Sequence, residues 1–151
     1  MRKTGSFALS TGSSTQERER AMPDDGNGRR VRILLVEDEL LIGMDLAMIL
    51  EEWGHTVEGP HRTPEQAVEA ARSFGPDLAI LDVNLGRGTT SAPVARHLDE
   101  VGVPYVFLTG YSSGSRAEPR FECENGILRK PVDTAELRAK LSEMVARLDQ
   151  A

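Results

Sequence analysis

Four short apolar runs in this sequence stop at groups that can do chemistry. Ile33-Leu34-Leu35-Val36 runs into Glu37-Asp38-Glu39, Leu78-Ala79-Ile80-Leu81 into Asp82, the run from Val103 to Leu108 into Thr109-Gly110, and Gly126-Ile127-Leu128 into Arg129-Lys130-Pro131. If Glu37, Asp38 and Asp82 meet, they cannot all stay ionised unaided. Two carboxylates ~4 Å apart repel by about 4 kcal/mol at an effective dielectric of about 20. Oxygen-only ligands with open positions suit Mg2+, which keeps waters and accepts phosphate oxygens. Lys130 supplies a movable positive charge and Thr109 a hydroxyl donor. Together these groups describe an aspartate that accepts a phosphoryl group. Asp82 attacks in line while cation and lysine neutralise the equatorial oxygens. Taken singly, each residue has an ordinary reading: an aspartate after a strand caps a turn, Lys-Pro is a loop and Thr-Gly a turn. The pattern of all four at strand ends carries the inference.

The elements that must position them follow from periodicity. Short, continuous, β-branched runs are strands buried on both faces of a parallel sheet. Between them lie helical stretches: Leu40 to Trp53, stopped by Gly54; Thr63-Pro64-Glu65-Gln66 opening a helix to Phe74 that Gly75-Pro76 ends; about Ser91 to Val101; a weak segment over 111–124; and a last helix. That last helix starts at Asp133 with Glu136 three residues on, a Val132–Leu137 staple, and an apolar stripe of Leu137, Leu141, Met144 and Leu148. His55 to Gly59 supplies a weaker strand. Five strands alternating with five helical segments predict an α/β, doubly wound, five-stranded parallel sheet, flavodoxin-like, in strand order 2-1-3-4-5. In that order the reactive strand ends converge on one pocket.

Charge divides the 151-residue chain at about residue 30. Residues 1–30 hold six Lys/Arg, four Asp/Glu and six apolar residues and read as a disordered tail, while 31–151 hold twelve Lys/Arg, twenty Asp/Glu and 53 apolar residues and read as one domain. The acidic domain has no basic face with which to release counterions from phosphates, which argues against direct nucleic-acid binding. The single Cys123 forms no internal disulfide and no zinc site alone, and His55, His61 and His97 lack metal-motif spacing. The longest apolar run near the start is Phe7-Ala8-Leu9, too short for an export or membrane segment, so a cytoplasmic protein is expected.

Leu35-Val36-Glu37-Asp38-Glu39, Leu81-Asp82-Val83-Asn84, Leu108-Thr109-Gly110 and Arg129-Lys130-Pro131 resemble the receiver domain of bacterial two-component response regulators, over residues 31–151. The resemblance implies that Asp82 accepts phosphoryl from a histidine kinase. It implies Mg2+ held by Asp38, Asp82 and the backbone carbonyl of Asn84, with Glu37 in the acidic pair, where the family more commonly has aspartate. Thr109 and Lys130 would contact the phosphoryl oxygens, and Lys130-Pro131 would be cis. Pro104-Tyr105-Val106-Phe107-Leu108-Thr109-Gly110-Tyr111 is similar to the signature of the FAT GUY class, single-domain receivers paired with HWE-type kinases; Leu108 stands where that class has alanine. Too little sequence follows the last helix for a DNA-binding output domain. The expected function is therefore a phosphorelay element, a phosphate sink or a regulator acting through protein contact.

Two other functions compete. A metal-dependent phosphatase would use Asp82 as a covalent nucleophile, but that class wants an acid two residues on, where Asn84 stands. A receiver-like binding module would lack groups that are all present here. Two further expectations concern surfaces and switching. The apolar residues of the first helix, from Leu40 to Trp53 and including Leu46, spread beyond the stripe a sheet can cover, which suits either self-association as a homodimer or kinase docking, or else a broadly buried helix. Ile127 occupies the place, three residues before the lysine, where many receivers carry a switching aromatic, so Tyr111 and a segment over 111–124 are expected to take that role.

Overall fold

The computed structural model describes residues 29–110 and 125–150. The sequence expectations for residues 1–28, Cys123 and the helical segment over 111–124 with Tyr111 lie outside the described residues. Chain order is β1 (Arg32–Val36), α1 (Leu40–Glu52), β2 (Thr56–His61), α2 (Pro64–Phe74), β3 (Leu78–Asp82), α3 (Ala92–Val101), β4 (Tyr105–Thr109), β5 (Ile127–Arg129) and α4 (Thr134–Gln150). The strands form one sheet in the order β2-β1-β3-β4-β5, parallel throughout, which is the predicted 2-1-3-4-5 order.

Strand alternation sends successive side chains to opposite faces, so a strand buried on both faces feeds two cores. Ile33, Leu35, Ile80, Val106 and Leu108 pack on one side with Leu46 and Leu50 of α1 and Leu137, Leu141, Met144 and Val145 of α4. Leu34, Val36, Ala79, Leu81, Tyr105 and Phe107 pack on the other with the small faces of α2 (Ala67, Ala70, Ala71) and α3 (Val94, Ala95, Leu98).

Helix boundaries follow local chemistry. The Thr63 hydroxyl accepts from the Gln66 N–H at 3.1 Å, while the Gln66 side chain accepts from the Arg62 N–H at 3.4 Å, a box displaced by one residue from the usual reciprocal pattern. Gly75 closes α2 in the left-handed region at φ 67°. Asp133 Oδ1 accepts from the Ala135 N–H at 3.2 Å and opens α4. Four strand ends run past expectation: Asp82, Thr109 and Arg129 are the last residues of β3, β4 and β5, not the first beyond them, and β2 continues from Gly59 to His61. Parallel pairing continues that far because Asp82 lies beside Leu108 and Thr109 beside Arg129.

The edge strand β2 carries a feature that periodicity does not reveal. The β1–β2 register shifts between Leu34 and Val36, opposite Gly59, whose φ is 129° and whose peptide bond to Pro60 is cis. A Cβ on Gly59 would sit 2.3 Å from the Leu35 carbonyl oxygen, so only glycine fits this bulge. Lys130-Pro131 is also cis, as expected.

Helix α1 buries one face only. Gly43, Leu46 and Leu50 are buried and Ile42, Ala47 and Trp53 partly so. Leu40, Leu41, Met44 and Met48 stay exposed, Leu41 at 81%. Leu46 belongs to the core, and the uncovered stripe runs through residues 41, 44 and 48. Among the described residues no helix is long and apolar enough to cross a membrane.

Candidate functional site

The carboxyl ends of β1, β3, β4 and β5 deliver the reactive groups to one edge of the sheet, as parallel packing requires. Glu37 follows β1 and is fully buried; Asp82 ends β3 and is buried at 2% exposure. Lys130 follows β5, and its ammonium donates to Glu37 Oε1 at 2.9 Å, to Asp82 Oδ2 at 3.2 Å and to Glu39 Oε1 at 3.3 Å. Asp38, half-buried, completes a group with Glu37 and Asp82 in which one carboxylate oxygen from each lies within 4.8 Å of the others. The Lys130 N–H donates to the Thr109 carbonyl at 2.8 Å, which fixes the lysine against the end of β4. Gly110 lies beside the lysine stem, where an added Cβ would be 3.6 Å from Lys130 Cε.

Electrostatics reflect this crowding. Burial, then the hydrogen bond and charge of Glu37, push the Asp82 carboxyl up to about 8 against the opposing pull of Lys130. Burial alone would lower the Lys130 ammonium, but its hydrogen bonds and the charges of Glu37 and Asp82 outweigh that and hold it above the ordinary lysine value. Three carboxylates, those of Glu37, Glu39 and Asp82, contact one ammonium, and that of Asp38 lies beside Glu37 and Asp82. An oxygen-only donor set with uncompensated negative charge fits a hard divalent cation such as Mg2+.

Residues without obvious chemistry hold the acids in place. The Glu37 N–H donates to the His61 carbonyl at 2.9 Å, and Arg62 Nε donates to the Asp38 carbonyl at 3.2 Å. The Glu39 N–H donates to Glu37 Oε2 at 3.0 Å. Gly43 abuts Pro60, where a Cβ would lie 2.6 Å from the ring. The loop after β3 turns through Gly86, Arg87 and Gly88, all at positive φ, and brings Gly86 to where a Cβ would meet Asp38 Oδ2 at 3.1 Å. Asn84 bridges to Thr90 in this loop, and its side chain accepts from the Gly86 N–H at 3.4 Å.

The structure thus brings Glu37, Asp38, Asp82 and Lys130 together, with Thr109 at the adjoining strand end and Asn84 two residues past Asp82. Ile127 lies half-buried on β5 and packs on the α2–α3 side. The contribution of residues 59–62 went unread, because a bulge at an edge strand leaves no periodic trace. Glu39 was visible as part of an acidic triplet, yet its reach to Lys130 was not.

A sheet of this order with acids, threonine and lysine at its carboxyl edge is the arrangement of a receiver domain. Residues 33–142 match the response regulator receiver domain family, and the chain belongs to that family. The Phyllosphere-induced regulator PhyR of Methylorubrum extorquens is 36% identical over 117 residues, covering 74% of this chain and 42% of that protein. The transcriptional regulatory protein PdtaR of Mycobacterium tuberculosis is 33% identical over 117 residues, covering 77% of this chain and 57% of that protein. The chain thus spans about half the length of these curated relatives. The signal receiver domain of a modulated diguanylate cyclase from Desulfovibrio desulfuricans superposes with a TM-score of 0.69 at 26% identity, covering 81% of this chain and 98% of that one. PhyR from Brucella abortus shares the fold at a TM-score of 0.68 and 24% identity, over 91% of this chain and 54% of that one. The chain is a receiver of two-component, phosphorylation-based signalling.

Proposed function

We propose that residues 31–151 act as a response regulator receiver in the cytoplasm, phosphorylated on Asp82 by a histidine kinase. The observation that carries this reading is the Lys130 ammonium set between the buried carboxylates of Glu37 and Asp82. Asp82 Oδ attacks the phosphorus of a kinase phosphohistidine: the O–P bond forms, the P–N bond breaks, and its electron pair returns to the imidazole. Lys130 neutralises charge on the transferring group, and the Thr109 hydroxyl donates to a phosphoryl oxygen. Glu37, Asp38, Asp82 and the Asn84 carbonyl would hold Mg2+, which supplies further charge neutralisation when bound. Pro131 sets the exit of the chain from the lysine.

The Pro104–Tyr111 segment supports membership of the FAT GUY class, and with it an HWE-type kinase as the donor. Downstream action is by protein contact or by relay, with Tyr111 proposed to take the switching role that Ile127 cannot fill. Incubating the chain with an autophosphorylated HWE-type kinase and Mg2+ tests this. Label moving from kinase to chain is expected; a kinase that keeps its label contradicts it.

A further inference from the structure

We propose that Glu39 is a displaceable latch on Lys130, and that the incoming phosphoryl group takes the hydrogen bond Glu39 gives up. The inference deepens the phosphoacceptor reading of Asp82 and rests on it. A lysine ammonium has three N–H donors and no more. Here all three are committed, to Glu37 at 2.9 Å, Asp82 at 3.2 Å and Glu39 at 3.3 Å. A phosphoryl oxygen can therefore reach Lys130 only by displacing a carboxylate.

The three partners are not equivalent. The Glu37 side chain is fully buried and that of Asp82 is 3% exposed, whereas the Glu39 side chain is 61% exposed. Releasing either buried carboxylate strands a charge away from water, a heavy penalty. Glu39 is released into solvent. Its position offers a second compensation: it is the N-cap of α1, at the positive end of the helix dipole, yet its side chain makes no capping bond while it reaches to the lysine. Its backbone stays pinned by the N–H donated to Glu37 Oε2, so only the side chain has to move. The weakest-held partner is thus the one that shields the lysine from solution.

The latch sets how readily the site accepts a tetrahedral anion, so removing its charge tightens binding of a phosphoryl mimic. The test is calorimetric titration of the full chain with beryllofluoride, a tetrahedral mimic that is not transferred, in Mg2+, using wild type, Glu39→Gln, Glu39→Ala, Glu39→Asp and Asp82→Asn. Glu39→Gln and Glu39→Ala are expected to bind roughly two- to fivefold tighter than wild type, the scale of losing one exposed ion pair. The gain shrinks as salt rises. Glu39→Asp keeps the charge but falls short of the lysine, so it is expected to follow Glu39→Ala. Melting temperatures of the Glu39 variants stay near wild type, because no cap bond is lost.

Equal affinity in wild type, Glu39→Gln and Glu39→Ala overturns the latch while leaving Asp82 as acceptor. Wild-type affinity in Glu39→Asp overturns the contact, since general repulsion then suffices. Wild type and Asp82→Asn binding beryllofluoride alike overturns the acceptor reading itself and the latch with it.

Discussion

Lys130 Nζ stands 2.9 Å from Glu37 Oε1, a contact that joins the ends of β1 and β5 across 93 residues of sequence. Both groups are nearly sealed from water, the glutamate side chain at 0% and the lysine side chain at 10% exposure. Such a pair gives little net stability when intact, and its disruption is costly because it leaves a buried charge alone. Lys130→Met is therefore expected to lower stability by roughly 3 kcal/mol at about pH 8 and to lose less near pH 6, where Asp82 takes up a proton instead. Urea unfolding of metal-free protein at the two pH values measures this; a pH-independent loss contradicts it.

Asp82 gives the opposite sign. Its folded-state value of about 8 lies above the ordinary 3.8, so the stability tied to its protonated form is complete below the ordinary value and is lost as pH rises through the folded one. Asp82→Asn stays neutral throughout. It is expected to be more stable than wild type in metal-free buffer, with a gap that opens above about pH 4 and levels off near pH 8. Adding Mg2+ narrows the gap by stabilising wild type. Denaturant midpoints across this range are the check, and a gap that does not grow with pH refutes the account.

Gly43 is a packing constraint on the acidic loop. Alanine in a helix interior ordinarily gains up to about 1 kcal/mol over glycine. Here the added methyl would meet the Pro60 ring at 2.6 and 2.7 Å and Glu37 Cγ at 3.4 Å. Gly43→Ala is expected to destabilise by about 1–3 kcal/mol, the usual scale of overpacking, and to lower Mg2+ affinity by shifting Glu37. Thermal melts and metal titration read both effects; a stabilised variant contradicts the packing argument.

The exposed stripe of α1 begins one residue past the site, and Glu39, Asp45, Glu51 and Glu52 are exposed on the same helix or at its cap. Leu41→Ala and Met44→Ala are expected to change stability by no more than about 0.5 kcal/mol, to leave labelling by a small phosphodonor intact, and to slow phosphotransfer from the kinase. Leu46→Ala instead removes a core contact and is expected to cost about 2–5 kcal/mol. Equal kinase transfer in wild type and both surface variants would remove α1 as the docking face.

How much of this could be read from residue order depends on the range of the forces involved. Runs such as Leu78–Leu81 announce a strand buried on both faces, and an acid that ends one announces a polar edge, so the sheet order and the meeting of Glu37, Asp38, Asp82 and Lys130 were legible. Thr63, Pro64 and Gly75 bound α2 by local chemistry alone. The bulge at Gly59, the bonds from His61 and Arg62 to the acidic loop, and the Gly43–Pro60 contact depend on a neighbouring strand's backbone, which no local pattern encodes. Which face of α1 the sheet covers was not legible, because the helix is apolar nearly all round and only tertiary packing selects that face.

Intact-mass measurement of the chain after incubation with acetyl phosphate and Mg2+, beside Asp82→Asn, tests the central claim most directly. Wild type is expected to gain the mass of one phosphoryl group, lose it on removal of the donor, and gain none when Mg2+ is chelated; Asp82→Asn gains none at all. An unmodified wild type, or an adduct that persists in Asp82→Asn, contradicts the account.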